Sequence, residues 1–168
     1  SDTPAAKAMY NDIDAEIEEL RGYCDMARSI GEETKSKELL NALSLSFDKI
    51  AKLGGQKKAL IFTESRRTQE YLYNYLTEHG YKNKVICFNG TNSSDEAKTI
   101  YRLWLMQYAG TNRISGSTVI DKKQAIVDTF RDKAEILIAT EAGAEGINLQ
   151  FCSLVVNYDM PWNPQRIE

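Results

Sequence analysis

Residues 135–159 read EILIATEAGAEGINLQFCSLVVNYD, from Glu135 to Asp159. The stretch holds two short apolar runs, Ile136-Leu137-Ile138-Ala139 and Leu154-Val155-Val156. Each is too short for a helix and β-branched enough for a buried parallel strand. Between them lies TEAGAEGIN, two glycines among small, polar and acidic residues. A strand, a glycine-bearing turn and a second strand is how an α/β protein builds a ligand edge at the carboxyl ends of its strands. Gly143 and Gly146 let backbone approach a ligand closely, and Thr140, Glu141, Glu145 and Asn148 supply polar groups. On spacing alone, a connector whose glycines only permit tight turns is the other reading.

The residues that follow decide between the two. They are Asn157-Tyr158-Asp159-Met160-Pro161-Trp162-Asn163-Pro164-Gln165-Arg166-Ile167-Glu168. A T-E-A-G-A-E-G-I-N-L block followed by Y-D-x-P-W-N-P-Q closely resembles motif V and the approach to motif VI of superfamily-two helicases. More narrowly, it is similar to the second RecA-like lobe of Swi/Snf-type translocases, including the bacterial RNA-polymerase-associated branch. DEAD-box RNA helicases usually carry Asp where Asn148 stands and Arg where Glu145 stands. The resemblance spans residues 36–168 and is most specific over 135–168.

Upstream, two more runs have the same character. Ala59-Leu60-Ile61-Phe62 ends in Thr63-Glu64-Ser65-Arg66-Arg67, with Ser65 placed to cap a helix that turns Tyr71, Leu72, Tyr75 and Leu76 inward. This resembles motif IV, and free amides at a helix N-terminus suit a phosphate. Arg66 and Arg67 add charge there, although an Arg pair after a strand is also plain solvation. Val85-Ile86-Cys87-Phe88 leads into Asn89-Gly90-Thr91-Asn92-Ser93. In the resembling family a similar turn faces the nucleic-acid backbone, where hydroxyls and amides contact phosphate without reading bases. Ser93 with Glu96 also makes a capping-box pattern for the next helix.

The chain opens with helical patterning. Thr3-Pro4 supplies a cap and a first helical residue. Ile13, Ile17, Leu20, Cys24 and Ala27 then mark one apolar face, with Gly31 expected to end that helix. A second helix is expected from Ser36, with Leu39, Leu43, Phe47 and Ile50 on one stripe and Gly54-Gly55 as its stop. Residues 95–108 are heavily apolar at Ile100, Leu103, Trp104, Leu105 and Tyr108, and a further helix is expected from Asp121 through Phe130. Residues 97–119 read as a lineage-specific insertion, and Lys122-Lys123-Gln124 stands where the family carries an Arg. Arg113 and that Lys pair are candidates for DNA or inter-lobe contact, against simple solvation.

These patterns give helix, helix, then β-α-β-α-α-β-loop-β. The expected fold is α/β, an open parallel sheet flanked by helices, because parallel neighbours need crossovers. Residues 59–63, 84–88, 135–139 and 153–157 should be neighbouring parallel strands, with Thr63, Asn89 and Thr140 at one edge. Residues 1–35 are expected to form a helical preface, and the resemblance implies that 36–168 are a RecA-like lobe of P-loop NTPase type, cut at the start of motif VI.

Composition bounds the rest. At 168 residues the chain fits one domain with a real core. No apolar run approaches the length of a membrane span, and the polar start is no signal peptide. Cys24, Cys87 and Cys152 are odd in number and widely spaced, so neither a metal nor a disulfide framework is expected. A reducing setting follows, cytoplasmic, or nuclear if the source is eukaryotic. His79 is read as a surface residue. The net charge of −3 is uneven, because residues 1–38 carry ten acids and five bases and the remainder is at +2. A local nucleic-acid face is compatible with that balance, and a broad basic patch is not supported.

The sequence contains no G-x-x-x-x-G-K-[ST], so the loop that cradles ATP phosphates is absent, as is the carboxylate motif that holds Mg²⁺. The resemblance implies that ATP and Mg²⁺ are bound mainly by a first lobe in the same polypeptide. Motif VI, whose arginines would stabilise the transferring phosphoryl group, is expected after Glu168; Arg166 lies ahead of it. No catalytic residue and no metal ligand is therefore expected within these residues, and the chain alone is expected to be inactive. By resemblance, Thr140 and Ala142 line the nucleic-acid side, with Thr63, Ser65, Arg67, Asn89, Gly90 and Thr91. Gly143, Glu145, Gly146 and Asn148 lie in the stretch that links that side to ATP. The implied function is the second motor lobe of an ATP-dependent translocase on nucleic acid, duplex DNA first. A strand-separating DNA or RNA helicase, or a non-catalytic docking module of the same fold, are the alternatives.

Overall fold

The computed structural model describes residues 3–160. The chain divides into two compact units, Ser1–Leu39 and Leu40–Glu168.

One continuous helix, α1 (Pro4–Lys52), replaces the two helices expected from the sequence. Gly31 does not stop it, because a glycine stop needs the left-handed conformation and Gly31 is not among the positive-φ residues. An interior glycine costs only about 1 kcal/mol relative to Ala. Good helix formers surround it, and Glu33 pairs with Lys37 one turn on at 3.0 Å. Ser36 caps nothing; its hydroxyl donates back to the carbonyls of Glu32 and Glu33 at 2.9 and 3.0 Å. Thr3 does cap the start, accepting from the Ala6 N–H at 3.4 Å. The stop falls where expected. Gly54 sits at φ 76°, with the Gly55 N–H on the Ile50 carbonyl and the Gly54 N–H on that of Ala51, a Schellman motif. Along the helix, Leu39, Leu43 and Phe47 are buried, whereas Ile13, Ile17 and Leu20 are exposed.

The sheet contains β1 (Ala59–Thr63), β2 (Val85–Phe88), β3 (Ile136–Thr140) and β4 (Leu154–Asn157), all parallel, in the order β2-β3-β1-β4. β1 and β3, buried along nearly their whole length, take the centre. β4 is an edge strand with Val155 60% exposed, so the full burial expected from its apolar run does not hold there. Alternation sends Leu60, Ile86, Phe88, Leu137 and Ala139 to one face, where they pack with Ala97 of α3 (Asp95–Tyr108) and Ile126 and Phe130 of α4 (Thr118–Lys133). α2 (Arg66–Glu78), none of whose residues joins that cluster, packs on β2 and β3 through buried Leu72 and Leu76.

Two helix starts differ from the sequence reading. Ser94, not Ser93, caps α3 by accepting from the Ala97 N–H at 3.1 Å. α4 begins after Ser117 rather than at Asp121. Asp121 is buried and folds back on the preceding loop, accepting from the Ser115 N–H and hydroxyl and from the Gly116 N–H. Burial works to raise its pKa, but those donors outweigh it and hold the carboxyl below its usual value. His79 is exposed and closes α2. A four-residue helix, α5 (Glu141–Ala144), occupies what the sequence suggested was loop. No described helix is long and apolar enough to cross a membrane.

Candidate nucleic-acid and nucleotide face

Parallel pairing puts the carboxyl ends of the strands side by side. Thr63 and Thr140 are register partners across β1 and β3, and Phe88 pairs with Ala139, so Asn89 emerges beside Thr140. Three turns follow from this edge: Thr63–Ser65, Asn89–Ser93 and Thr140–Gly143.

In the first, Ser65 caps α2, its hydroxyl accepting from the Thr68 N–H at 3.2 Å. Thr63 is buried at 1% exposure and its hydroxyl donates to the Ser65 carbonyl at 3.4 Å. It therefore shapes the turn from within. The Glu64 N–H donates to the Asp159 carboxylate, which ties this turn to the end of β4. Arg66 and Arg67 are both exposed. Arg66 donates to the Thr91 hydroxyl at 2.7 Å and so bridges to the second turn, a role the sequence did not assign to it.

The second turn is closed by two asparagines. Asn89 Oδ1 accepts from the Asn92 N–H, and Asn92 Oδ1 from the Asn89 N–H, both at 2.9 Å. Asn92 adopts φ 46°, a left-handed conformation that Asn tolerates better than most residues, and it is buried. Asn89 Oδ1 also accepts from the Thr91 N–H and hydroxyl at 3.2 Å. Gly90 and Thr91 are left exposed at the tip.

Behind both turns stands Gln69, 3% exposed. Its amide donates to the carbonyls of Phe88 at 2.9 Å and Ile138 at 2.7 Å, and its Oε1 accepts from Asn89 Nδ2 at 3.4 Å. The sequence carries a signal for it, since Gln69, Leu72 and Leu76 fall on one helical stripe and a Gln there needs partners.

In the third turn, Thr140 caps α5 and accepts from the Gly143 N–H at 3.3 Å. Gly143 is buried, and Gly146 sits at φ 78°. Beyond α5, Glu145, Gly146 and Asn148 share a cleft of about 550 Å³ with Lys123, Gln124, Val127 and Arg131 of α4. The four residues expected on the ATP side thus separate. Three line this cleft, and Gly143 lies apart, against Asn89.

Arg113, expected as a loop contact, is engaged within the fold. It pairs with the buried Asp128 carboxylate and stacks its guanidinium 4.8 Å from the Tyr108 ring centre. Asp128 also accepts from Trp104 Nε1 and Gln124 Nε2, each at 2.8 Å, and pairs with Arg131 at 3.2 Å. Burial pushes the pKa of that carboxyl upward, but the donors from Trp104, Gln124 and Arg113 prevail and hold it below its usual value. Lys123 lines the cleft, and Lys122 lies 5.9 Å from the Tyr101 ring centre. Among the described residues no cluster of His, Cys, Asp or Glu is arranged to hold a metal ion. The W-N-P-Q element and Arg166 lie outside the described residues.

The family model described as "Helicase conserved C-terminal domain" matches residues 71–168. An ATP-dependent helicase of Bacillus subtilis, YqhH, is 47% identical over 87 residues, 51% of this chain and 15% of that protein. The RNA polymerase-associated protein RapA of Serratia proteamaculans is 30% identical over 102 residues, covering 59% of this chain and 10% of its own length. Helicase SWR1 of Gibberella zeae is 28% identical over 113 residues, 66% of this chain and 5% of SWR1. The chain spans well under a fifth of each of these relatives.

Proposed function

The chain belongs to the helicase C-terminal domain family, and on that premise we propose that it is the second motor lobe of an ATP-dependent, Swi/Snf-like DNA translocase. The observation that carries this reading is the row of turns at the carboxyl edge of the sheet. Ser65, Gly90, Thr91 and Thr140 offer hydroxyls and amides along that edge, with exposed Arg67 following at the start of α2 and with Thr63 and Asn89 shaping the edge from inside. Groups of this kind bind phosphate oxygens and carry no base information, which suits movement along duplex DNA without sequence preference.

Glu145, Gly146 and Asn148, in the cleft beside α4, face the nucleotide that a first lobe would hold with Mg²⁺. ATP would supply the closing force between lobes. This chain's own part is to hold the backbone of one strand through its turns and to pass their displacement to the Glu145–Asn148 segment.

Binding of duplex DNA by the chain at graded salt tests the reading. A few phosphate contacts, each contributing about 0.9, give an expected slope of log affinity against log salt of about 1 to 3 in magnitude. Thr91→Ala and Arg67→Ala should weaken binding to all sequences alike. A steep slope, or discrimination among duplex sequences, would place binding on another surface.

A further inference from the structure

The second and third turns touch more closely than two independent loops need to. A Cβ built on Gly143 would lie 3.0 Å from Thr140 Oγ1 and 3.1 Å from both the carbonyl carbon and the Cα of Asn89. The obstacle is backbone, and it is held. The Asn89 N–H is fixed by Asn92, its side chain binds the Thr91 and Asn92 amides, and its amide nitrogen reaches Gln69. Gln69 in turn binds the carbonyl of Phe88, the last before the second turn, and that of Ile138 in β3, two residues before Thr140. Thr91 closes the circuit to α2 through Arg66.

We propose that Asn89 is a positioning residue that locks the Asn89–Ser93 turn against Gly143, so that the two turns move as one body. The side chain of Asn89 is spent on the turn itself, which leaves phosphate contact to Gly90, Thr91 and Ser93 around it. Given the function proposed above, on which this inference rests, a shift of the phosphate-facing turn is delivered directly to Gly143. From there it runs through α5 to Glu145, Gly146 and Asn148 in the nucleotide-side cleft. Gly143 is required for the contact, because any side chain there would hold the turns a few tenths of an ångström apart.

Amide hydrogen exchange on this chain reads the contact without any activity. Asn89→Ala should speed exchange at Thr91, Asn92 and also Gly143 by roughly tenfold or more, the signature of one opening unit. Asn89→Asp, which keeps the acceptor oxygen, should restore most of the protection. Gly143→Ala reads the contact from the other side and should loosen Thr91 and Asn92. Acceleration confined to residues 89–93 in Asn89→Ala, with Gly143 unmoved, would overturn the proposal.

The two-lobed protein then separates positioning from contact. Asn89→Ala should lower kcat at saturating duplex DNA by roughly tenfold while the half-saturating DNA concentration moves less than about threefold. Unchanged kcat with weakened DNA binding would make Asn89 a contact residue and overturn the coupling. If no nucleic acid stimulates the wild-type protein, the translocase reading fails, and the exchange result still decides whether the turns form one body.

Discussion

The ammonium of Lys58 donates to the carbonyl of Phe130 at 2.9 Å, fastening the residue before β1 to the last turn of α4. It also donates to the Ala134 carbonyl and lies 5.5 Å from the centre of the Phe130 ring. Lys58 is 8% exposed, so these bonds are made where water does not compete.

Replacing Lys58 with Met keeps the aliphatic stem and removes the donor. Hydrogen bonds to a charged group contribute about 1.5–3 kcal/mol each, offset in part by the cost of burying the charge. A net loss of about 1–3 kcal/mol is expected, read from the urea midpoint. Burial lowers the Lys58 pKa from 10.5, so between the lowered value and 10.5 the unfolded chain binds more protons than the folded one. Wild type should therefore gain stability relative to Lys58→Met as pH rises through that window. A constant difference across it would assign the effect to packing alone.

Arg113→Ala tests whether the loop ahead of α4 serves the fold or the nucleic acid. The partner carboxylate of Asp128 is buried and keeps three other donors, Trp104, Gln124 and Arg131. The loss should therefore fall below the 3–5 kcal/mol of a fully broken buried pair, at about 1–2 kcal/mol. The slope of DNA affinity against salt should not change. A slope reduced by about one unit would instead mean that Arg113 neutralises a phosphate.

Local pattern made the sheet legible. Each strand is an apolar run between turn signals, and Gly54 and Ser65 act where their chemistry predicts. What sequence could not give were the partners that depend on packing. Lys58 reads as one more lysine beside Lys57, and only the approach of the α4 terminus makes it a cap. Gly31 carries the same residue type as Gly54, yet the choice between stop and passage lies in neighbours that sustain the helix. Arg113 looked like a free loop cation because nothing nearby in sequence announces Asp128, fifteen residues on. Asn92 was visible in N-G-T-N, but its reciprocal bond with Asn89 is a property of the closed turn.

Cys87 offers a pH handle on the sheet. Burial first, then the nearby carboxylates of Glu96 and Glu70, pushes its thiol up to about 12 from a usual value of 9.0. Between those values the unfolded chain has lost the proton that the folded chain keeps. Stability should therefore fall as pH rises from 9.0 toward about 12, at up to about 1.4 kcal/mol per unit. Cys87→Ala should remove this dependence, so the variant gains on wild type above pH 9 even if it starts slightly less stable. Parallel urea midpoints for the two proteins from pH 8 to 10.5 would show that the thiol is not the titrating group.

The last prediction concerns turnover. Phosphoryl transfer needs a grip on the γ-phosphate, a Mg²⁺ bridging its oxygens and a cation at the developing charge. The sequence carries no phosphate-cradling glycine loop with its lysine. Of the arginines in the described residues, Arg131, the one that lines the cleft beside α4, is held by Asp128 and Asp132. Glu145 and Asn148 share that cleft, and neither supplies positive charge. An arginine at the developing charge is worth about 10³ to 10⁵ in rate, more than such residues can offset. The purified 168-residue chain should therefore release no phosphate from ATP above a no-enzyme control, with or without duplex DNA. A two-lobed protein containing it should turn ATP over, and Asn148→Ala there should raise KM or lower kcat without unfolding the lobe. Sustained phosphate release by the chain alone, surviving repeated purification and absent from a mock preparation, would mean that a complete active site lies within these residues and that the division of labour between lobes is wrong.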